Sequence, residues 1–364
     1  MENSKKVGII TFHAADNYGA VLQAYALQTY LHTQGHDVEI INFRTKGIEN
    51  ANKPLFLHGK NTIKRFIKQL LILPNYFKLK KRNQRFEKFR EKYLNLSVRY
   101  SNASEIKSVS HDYDICITGS DQVFNPLIQN SDTYYLDFCK RARKVAYAPS
   151  FGIKDFSLVG EKTKTLINKF AHLSCRESDG AEFLSRTTGK EVPTVSDPVF
   201  LLSPREWSKI TTRPRDGEYI FVYDLNGGSK LIEIANKIKK ETGLPIICIT
   251  ASKFANKRYN VDELHIDAGP LEFVSYINHA NYVVTDSFHG TAFSVLFRRK
   301  FISYIALEHA ASRIQSLLDR LGIADRIFYN TKDFNINKVE FSEYEEELEQ
   351  LIAASKQYLI ETTK

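Results

Sequence analysis

A short polar stretch in the last third of the chain contains a histidine and directly follows an apolar run. The run is Tyr282-Val283-Val284, and the stretch reads Thr285-Asp286-Ser287-Phe288-His289-Gly290-Thr291. If a buried strand turns here into a helix that opens at Gly290, the first helical amides favour an anion. His289 would then donate a proton or a hydrogen bond beside that anion near neutral pH. A histidine that only caps the turn is the alternative.

Arg176 occupies a comparable position after a second apolar stretch. The sequence there is His172-Leu173-Ser174-Cys175-Arg176-Glu177-Ser178, which is typical of a strand that leads into a helix. A guanidinium at the carboxyl end of a strand is able to grip a phosphate or a carboxylate through two parallel hydrogen bonds. A salt bridge to Glu177 or to another nearby acid is the more ordinary use of such an arginine.

Two further polar groups follow predicted strands in the first half of the chain. Asp121 lies in the turn-like stretch Gly119-Ser120-Asp121-Gln122 and is a candidate general base or ligand of sugar hydroxyls. Asn17 and Tyr18 follow the first predicted strand and are candidates for binding a sugar. An Asx turn at Asp121 and a helix cap at Asn17 are the structural alternatives.

The basic residues of the chain are concentrated in one segment. Between Arg44 and Tyr93 there are 15 Lys and Arg against three acids, a balance of 15 − 3 = +12, so the rest of the chain carries 9 − 12 = −3. This distribution argues against a nucleic-acid partner. Phe66, Phe77 and several Leu and Ile are interleaved with the cations, which predicts one or two amphipathic helices broken near Pro74. They form either a solvated helix pair or a surface for anionic lipid or a lipid-diphosphate-linked substrate.

Other kinds of site are not indicated. The chain has no GxGxxG pattern, so a dinucleotide cofactor is not predicted, and its ten scattered histidines suggest no metal site. The four cysteines form no CxxC pair and are expected to be buried thiols in a reducing compartment. Because no long apolar run or signal-peptide core is visible, we expect a cytoplasmic protein.

Strands and helices alternate in two successive halves, which predicts an α/β fold class with parallel sheets. The first half, residues 1–200, begins strand–helix–strand and includes the basic helical insert at about 44–100. The second half covers residues 217–330, and a separate final helix is predicted at 341–362. A proline-rich stretch that includes Pro214 marks the linker. Two such halves predict two Rossmann-like domains that face each other across a cleft.

Seven short motifs follow one another in order within the span from about Lys6 to about Arg326, and together they are specific although each alone is weak. They are Asn17-Tyr18-Gly19-Ala20-Val21-Leu22-Gln23-Ala24-Tyr25-Ala26-Leu27, Tyr113-Asp114 through Gly119-Ser120-Asp121-Gln122-Val123, Ala146-Tyr147-Ala148-Pro149-Ser150-Phe151-Gly152, Ser174-Cys175-Arg176-Glu177, Ser196-Asp197-Pro198, Asp267-Ala268-Gly269-Pro270-Leu271-Glu272-Phe273 and Asp286-Ser287-Phe288-His289-Gly290-Thr291. With these motifs the chain resembles the polysaccharide pyruvyl transferase family.

The resemblance implies a fold and an assignment of residues. Members of the family resemble GT-B glycosyltransferases, so the first domain is expected to hold the acceptor and the second the donor, phosphoenolpyruvate. The resemblance implies that His289 is a general acid or a phosphate ligand, and that Arg176 pairs with the phosphate or carboxylate of the donor. Some members carry an arginine two residues before this histidine, where this chain has Ser287. Arg313 is the expected substitute for that missing cation.

The activity that the resemblance implies is transfer of a pyruvyl group from phosphoenolpyruvate to a hexose, as a ketal, with release of phosphate. The acceptor would be the precursor of a surface polysaccharide such as a capsule or exopolysaccharide. It is expected to be linked to undecaprenyl diphosphate, which would bring the basic insert to the inner face of the membrane. No cofactor beyond the donor is expected. The expected site residues are His289 and Asp121 in catalysis, and Arg176, Ser287, Gly290, Thr291, Arg313, Asn17 and Tyr18 in substrate binding.

Two other classes of function are compatible with the same patterns. One is a GT-B glycosyltransferase that uses a nucleotide sugar, but such enzymes usually hold the ribose with an acid, and the predicted helix after His289 begins Gly290-Thr291-Ala292-Phe293-Ser294-Val295 without one. The other is a non-catalytic binding protein of a polysaccharide assembly system. Replacement of His289 would separate an enzyme from such a protein.

Overall fold

The structure is a computed structural model of the chain. It describes residues 4–57, 62–108, 112–128, 131–226, 228–255, 259–305, 308–334, 336 and 343–364.

The chain forms two compact units whose boundaries differ from the predicted domains. The first unit contains residues 1–48, 90–202 and 344–364, and the second contains residues 49–89 and 203–343. Most of the basic segment, expected as an insert of the first domain, therefore belongs to the second unit. The helix at the C-terminus belongs to the first.

The first unit is built on a five-stranded parallel sheet in the order β2-β1-β3-β4-β5. In the register, Val7 pairs with Val38 on one side and with Ile115 on the other. Because helices cover both faces of such a sheet, its central strands are continuous apolar runs, and every residue of β3 is buried. The strands are β1 (Lys6–Ile10), β2 (Asp37–Ile40), β3 (Ile115–Thr118), β4 (Arg143–Ala146) and β5 (His172–Leu173).

The helices of the first unit follow the predicted alternation. The N-terminal helix starts at Tyr18, where Asn17 caps it. The C-terminal helix spans Glu345–Thr363, compared with the expected 341–362, of which residues 341 and 342 lie outside the described residues. The helices are α1 (Tyr18–Thr33), α2 (Lys46–Asn52), whose last residues belong to the second unit, α5 (Ala103–Ser108), α6 (Ser131–Tyr134), α7 (Glu161–Ile167), α8 (Ser178–Thr188) and α14 (Glu345–Thr363).

The second unit is built on a six-stranded parallel sheet in the order β11-β10-β9-β6-β7-β8. β6 and β7 are buried along their whole length. The strands are β6 (Ile220–Asp224), β7 (Ile246–Thr250), β8 (Glu263–His265), β9 (Tyr282–Thr285), β10 (Lys300–Tyr304) and β11 (Ile327–Phe328).

The helices of the second unit include the two predicted for the basic segment. These two helices are separated by a 3-10 turn at Leu73–Asn75, which contains Pro74, so the predicted break is confirmed. The helices are α3 (Thr62–Ile72), α4 (Tyr76–Tyr93), whose last residues belong to the first unit, α9 (Pro204–Ser208), α10 (Ser229–Thr242), α11 (Pro270–His279), α12 (Phe288–Leu296) and α13 (Glu308–Arg320).

Each sheet has a point at which the strand order reverses. In the first unit the reversal lies between β1 and β3, and in the second between β6 and β9. In open parallel sheets, loops diverge at such a point beyond the carboxyl ends of the strands and leave a crevice where ligands bind. The two expected places for a ligand are therefore the loops after β1 and β3 and the loops after β6 and β9.

The cysteines differ from the sequence-based expectation. Cys116 and Cys139, expected to be thiols, form a disulfide, whereas Cys175 and Cys248 are buried thiols as expected. The sequence contains no pattern for this pair, because β3 and the turn after α6 are brought together only by the fold.

In the described part of the chain, no helix combines the length and the hydropathy that a membrane span requires.

Candidate functional site

His289 lies directly beyond the carboxyl end of β9, as predicted, and within the first turn of α12, which begins at Phe288 and not at Gly290. Ser287 is the N-cap, and its Oγ accepts a hydrogen bond from the amide of Gly290 at 3.4 Å. The imidazole is largely buried, with 6% of the residue exposed, and its ring makes an edge contact with Phe288. The positive end of the helix dipole and an imidazole thus lie together at the strand-order reversal of the second unit.

Two of the predicted binding residues of this turn also hold it in place. The Thr291 hydroxyl donates to the carbonyl of Ser287 at 3.0 Å and lies 2.7 Å from Ser303 Oγ on β10. Thr291 has no exposed surface, so its side chain holds the turn in shape. Gly290 lies against Thr285, since a Cβ at position 290 would come within 2.4 Å of Thr285 Oγ1.

Asp286 joins the two loops at this reversal, a role that the sequence analysis did not assign. Its carboxylate accepts from the amides of Leu225 at 2.8 Å and Asn226 at 3.1 Å, and from Asn226 Nδ2 at 2.6 Å. Burial and the nearby Asp224 carboxylate raise the pKa of Asp286, although the bonds from Leu225 and Asn226 oppose this. The loop after β6 is therefore fixed to the turn that carries His289.

Asp224 is a second buried acid at the same place. Its carboxylate accepts from Tyr259 Oη at 2.5 Å, Thr250 Oγ1 at 3.3 Å and the amide of Gly228 at 3.1 Å. Burial, followed by the bond to Asp224, raises the pKa of Tyr259. The sequence contained a signal for Asp224, because this residue ends an apolar run. Thr285 ends the apolar run before Asp286 in the same way.

Asp121 lies at the carboxyl end of β3, at the reversal of the first sheet. Its backbone has φ 74° and ψ −173°, a conformation that costs energy for a residue with a Cβ and is found preferentially at functional sites. Its carboxylate accepts from the amide of Gln122 at 2.9 Å and so caps a short 3-10 helix. The structural alternative is thus present at Asp121, and the role of general base stays a prediction.

Asn17 and Tyr18 lie at the other loop of the same reversal. Asn17 Oδ1 accepts from the amide of Ala20 at 3.2 Å, so the capping alternative is present there too, and Tyr18 is buried. The loops after β1 and β3 are tied together, because Thr11 Oγ1 donates to the carbonyl of Ser120 at 2.9 Å. The structure therefore brings the loops of Asn17 and Asp121 to one edge of the sheet.

Arg176 is buried beside acids after β5. Its Nε lies 3.1 Å from a Glu177 oxygen and its Nη1 lies 2.7 Å from an Asp197 oxygen. Burial alone lowers the pKa of Arg176, but Glu177, Asp197 and Asp121 outweigh it and raise the pKa above its ordinary value. Since Ser120 Oγ also donates to Asp197 at 3.0 Å, Arg176 is connected to the loop of Asp121.

A buried cluster behind the loop after β1 was also missed by the sequence analysis. Arg90 has no exposed surface and lies 2.8 Å from an Asp16 carboxylate oxygen. His13 Nδ1 lies 3.2 Å from the Thr11 carbonyl and its Nε2 lies 3.2 Å from Asn42 Oδ1. Burial lowers the pKa of His13 to about 4 despite these bonds. The cluster therefore holds a neutral imidazole beneath the loop.

The remaining candidate, Arg313, lies on α13 of the second unit and is partly buried. Ser287, His289, Gly290 and Thr291 share one turn, and Arg313 belongs to a different helix. Among the described residues, no group of three or more His, Cys, Asp or Glu side chains is arranged to hold a metal ion.

The matching family model is described as polysaccharide pyruvyl transferase and covers residues 17–309. Every candidate site residue except Arg313 falls within that range. No curated protein matches the chain significantly.

Solved structures resemble the chain in fold at low sequence identity. UGT89C1 of Arabidopsis thaliana is 10% identical, with 99% of this chain and 100% of that chain covered and a TM-score of 0.50. The UDP-GlcNAc 2-epimerase of Methanocaldococcus jannaschii is 13% identical, with coverages of 95% and 92% and a TM-score of 0.49. The heptosyltransferase WaaC of E. coli is 13% identical, with coverages of 99% and 100% and a TM-score of 0.44. The two parallel sheets and the likeness to UGT89C1 confirm the predicted GT-B-like α/β class.

Proposed function

Since the chain belongs to the polysaccharide pyruvyl transferase family, we propose that it transfers the pyruvyl group of phosphoenolpyruvate to a hexose of a surface-polysaccharide precursor. The product is a pyruvate ketal, and phosphate is released. The observation that carries this proposal is the position of His289 in the first turn of α12, at the strand-order reversal of the second sheet. An anionic donor of three carbons suits a place that combines helix amides with an imidazole.

The proposed reaction balances with two sugar hydroxyls and one donor. A proton added to C3 of phosphoenolpyruvate makes a methyl group and leaves C2 electrophilic. The first hydroxyl oxygen bonds to C2, the bond from C2 to the phosphate oxygen breaks, and the second hydroxyl oxygen bonds to C2 in its place. Of the two protons that the hydroxyls lose, one replaces the proton spent on C3 and the other leaves with phosphate. The reaction therefore needs an acid near C3, groups that stabilise the anions, and a base near the hydroxyls.

His289 is the proposed acid, and the amides at the start of α12 are the proposed anion site. Ser287 and Thr291 shape that turn through their hydrogen bonds, and Gly290 allows the helix to begin close to β9. Arg313 is proposed as the additional cation for the donor. These assignments use residues of the second unit, which is the proposed donor side.

Residues of the first unit are proposed for the acceptor and for one further contact with the donor. Asp121 is the proposed base, and Asn17 and Tyr18 are proposed to contact the acceptor sugar. Arg176 is proposed to pair with the phosphate or carboxylate of the donor while it keeps its bonds to Glu177 and Asp197. The two acids lower the net charge that Arg176 offers an anion, so its contribution to donor binding should be smaller than that of the α12 turn.

The acceptor is proposed to be lipid-linked, as undecaprenyl-diphosphate-linked oligosaccharides are. An enzyme that acts on such a substrate works at the cytoplasmic surface of a membrane. No cofactor is part of the proposal, because the donor itself supplies the reactive enol.

A donor assay with purified protein tests the function. Lipid-linked hexose oligosaccharides are incubated with phosphoenolpyruvate or, separately, with sugar nucleotides, and phosphate release, nucleotide release and the acceptor mass are measured. We expect phosphate release and an acceptor heavier by one pyruvic acid less one water. Nucleotide release with transfer of a sugar would instead identify a glycosyltransferase, and an unchanged acceptor across a broad panel would overturn the proposal.

Replacement of the proposed acid separates catalysis from binding. His289→Gln should lower turnover by about 10²–10⁴-fold, the usual contribution of a general acid. His32→Gln is the matched control, because His32 is exposed in the last turn of α1. A His289→Gln protein that is folded and fully active would remove His289 from the mechanism, and a binding protein without catalysis would show no turnover in either variant.

A further inference from the structure

The helix α3 turns its apolar face to the solvent. Phe66, Ile67, Leu70 and Leu71 follow the spacing of one helix face, and all four are exposed, with 61% of Phe66 and 62% of Leu71 accessible. Ile72, on the opposite side of the helix, is buried. In an ordinary surface helix the apolar face packs on the core and the polar face is exposed. The exposed apolar face of α3 is therefore typical of a surface that binds a partner.

The same surface continues past the end of α3. Leu73 is exposed in the 3-10 turn, and Phe77, in the first turn of α4, is 81% accessible. We call the exposed side chains of Phe66, Ile67, Leu70, Leu71, Leu73 and Phe77 the outward apolar face.

Contacts on the other side of these helices hold the outward apolar face in its orientation. Asn75 Nδ2 donates to the carbonyls of Ala255 at 2.7 Å and Lys253 at 3.2 Å. Ile72 and Leu79 form an apolar cluster with Ala255 and Ile266 of the same unit.

Polar contacts farther along α4 strengthen this attachment. Arg85 Nη1 donates to the Asp267 carbonyl at 2.9 Å, and its Nε lies 3.2 Å from a Glu272 oxygen. The 3-10 turn and α4 therefore have a packed side already, and Ile72 at the end of α3 belongs to the same packed side.

Exposed cations accompany the outward apolar face on the same two helices. Arg65, Lys68, Lys78 and Lys80 are exposed in α3 and the start of α4. The sequence has ten Lys and Arg and no acid between Glu49 and Glu87. Helices that expose both apolar side chains and cations complement the interface of an anionic bilayer, where acyl chains meet negative headgroups.

A groove beside the face has the same mixed character. It has a volume of about 580 Å³, and it is lined by Leu71, Pro74, Lys78, Phe254 and Ile266 among others. Leu71 thus belongs both to the groove and to the outward apolar face. The groove therefore adds to the apolar area that a lipid chain can contact.

From these observations we propose that the outward apolar face docks on the surface of a bilayer that contains anionic phospholipids. The apolar side chains enter the interface between headgroups and acyl chains, and Arg65, Lys68 and Lys78 contact the headgroups. The proposal gives the proposed function a location, and its biological purpose rests on that function. Binding to vesicles is nevertheless measurable without any transfer of pyruvate.

Sedimentation with vesicles tests the docking. The whole protein is mixed with vesicles of phosphatidylcholine alone or with one third phosphatidylglycerol, and the bound fraction is measured. We expect binding to the anionic vesicles that weakens as salt is added. The triple variant Phe66→Ser, Leu71→Ser, Phe77→Ser and the triple variant Arg65→Gln, Lys68→Gln, Lys78→Gln should each bind at least about tenfold more weakly.

Matched variants elsewhere on the chain serve as controls. Val98→Ser, Leu127→Ser, Leu158→Ser removes three exposed apolar side chains of the first unit, and Lys154→Gln, Lys190→Gln, Lys209→Gln removes three exposed cations. Both control proteins should bind vesicles as the unmodified protein does. Equal losses in test and control variants, or no binding of the unmodified protein, would overturn the proposal.

Two further measurements separate other outcomes. Sedimentation equilibrium without lipid reveals whether a second copy covers the face, and a dimer that the Phe66, Leu71, Phe77 variant dissociates would replace the proposal. Transfer to a water-soluble acceptor fragment should be unchanged in that variant. If the unmodified protein transferred no pyruvyl group, only the proposed function would be contradicted. If it bound no vesicles, only the docking proposal would be contradicted.

Discussion

The guanidinium of Arg176 lies 2.7 Å from a carboxylate oxygen of Asp197, and both side chains are buried. Glu177 adds a second carboxylate at 3.1 Å. Two acids therefore share one arginine in the interior of the first unit. Because Ser120 Oγ also donates to Asp197, this group connects the segment after β5 with the loop of Asp121. Arg176 thus has a structural role beside any role in donor binding.

Removal of Arg176 should destabilise the first unit. In Arg176→Ala, Glu177 and Asp197 stay buried without their cation, and the loss of one partner of such a group costs about 3–5 kcal/mol of unfolding free energy. Denaturant unfolding of the variant measures this cost. Arg186→Ala is the control, since Arg186 forms its ion pair with Glu182 on the exposed face of α8, where a pair contributes about 0–1 kcal/mol.

The same experiment separates the structural role from binding. Asp197→Asn with Arg176 intact should also lose stability, whereas an effect on donor binding alone would appear in Arg176→Ala as a raised KM without a change in unfolding free energy. That result would contradict the role of Arg176 as a buried counter-ion.

A side chain at position 290 would collide with Thr285 at the end of β9. A Cβ at position 290 would approach Thr285 Oγ1 to 2.4 Å and Thr285 Cβ to 3.0 Å. Thr285 Oγ1 donates to the Tyr223 carbonyl and accepts from the Ser287 amide, so it has little room to move. We expect Gly290→Ala to lower the unfolding free energy by about 1–3 kcal/mol and to lower transfer activity, because the turn that carries His289 shifts.

The control for this substitution is Gly47→Ala in α2. A Cβ at position 47 has only Thr45 Oγ1 near it, at 3.7 Å, so alanine fits there. Since alanine favours a helix, the thermal midpoint should stay unchanged or rise slightly. A Gly290→Ala protein as stable and active as the unmodified one would show that the turn tolerates the additional carbon.

His13 should make the stability of the first unit depend on pH. Burial lowers its pKa from 6.5 to about 4 in the folded chain, so between these values the unfolded chain binds the proton more strongly than the folded chain does. Stability is therefore retained above pH 6.5 and is lost as pH falls towards 4. Between pH 7 and pH 5 this group should cost about 2 kcal/mol.

Thermal unfolding at several pH values measures this dependence. His13→Gln has no imidazole to titrate, and its stability should fall by about 2 kcal/mol less over the same interval. Identical pH profiles for the two proteins would show that His13 is not buried in its neutral form.

The sequence was sufficient to predict features that depend on the pattern of neighbouring residues. The alternation of apolar runs with helical segments predicted two parallel sheets, and Pro74 predicted the break between α3 and α4. The turn from β9 into α12 was predicted because a strand, a polar turn and a glycine are adjacent in the chain, although the helix begins at Phe288 with Ser287 as its cap and not at Gly290.

Features that depend on contacts between residues far apart in the chain could not be predicted from the sequence. Asp197, 21 residues from Arg176, reaches it only after the chain has folded around β5. The link from Asp286 to Leu225 spans 61 residues, and no local pattern indicates it. The basic segment was assigned to the wrong unit by its position in the chain, since its contacts with Ala255 and Asp267 lie about 180 residues away.

The disulfide between Cys116 and Cys139 provides a direct test of such a non-local contact. The two residues are 23 positions apart, and a cross-link of that span restricts the unfolded chain enough to stabilise the fold by about 3 kcal/mol. The protein purified without reductant and unfolded in denaturant should therefore show two reactive thiols, Cys175 and Cys248, and four after reduction.

Dithiothreitol should lower the thermal midpoint of the unmodified protein. The variant Cys116→Ala, Cys139→Ala should not respond to dithiothreitol, because its two remaining cysteines are buried thiols in either condition. Four reactive thiols before reduction would show that the pair is not cross-linked, and would restore the expectation of reduced cysteines.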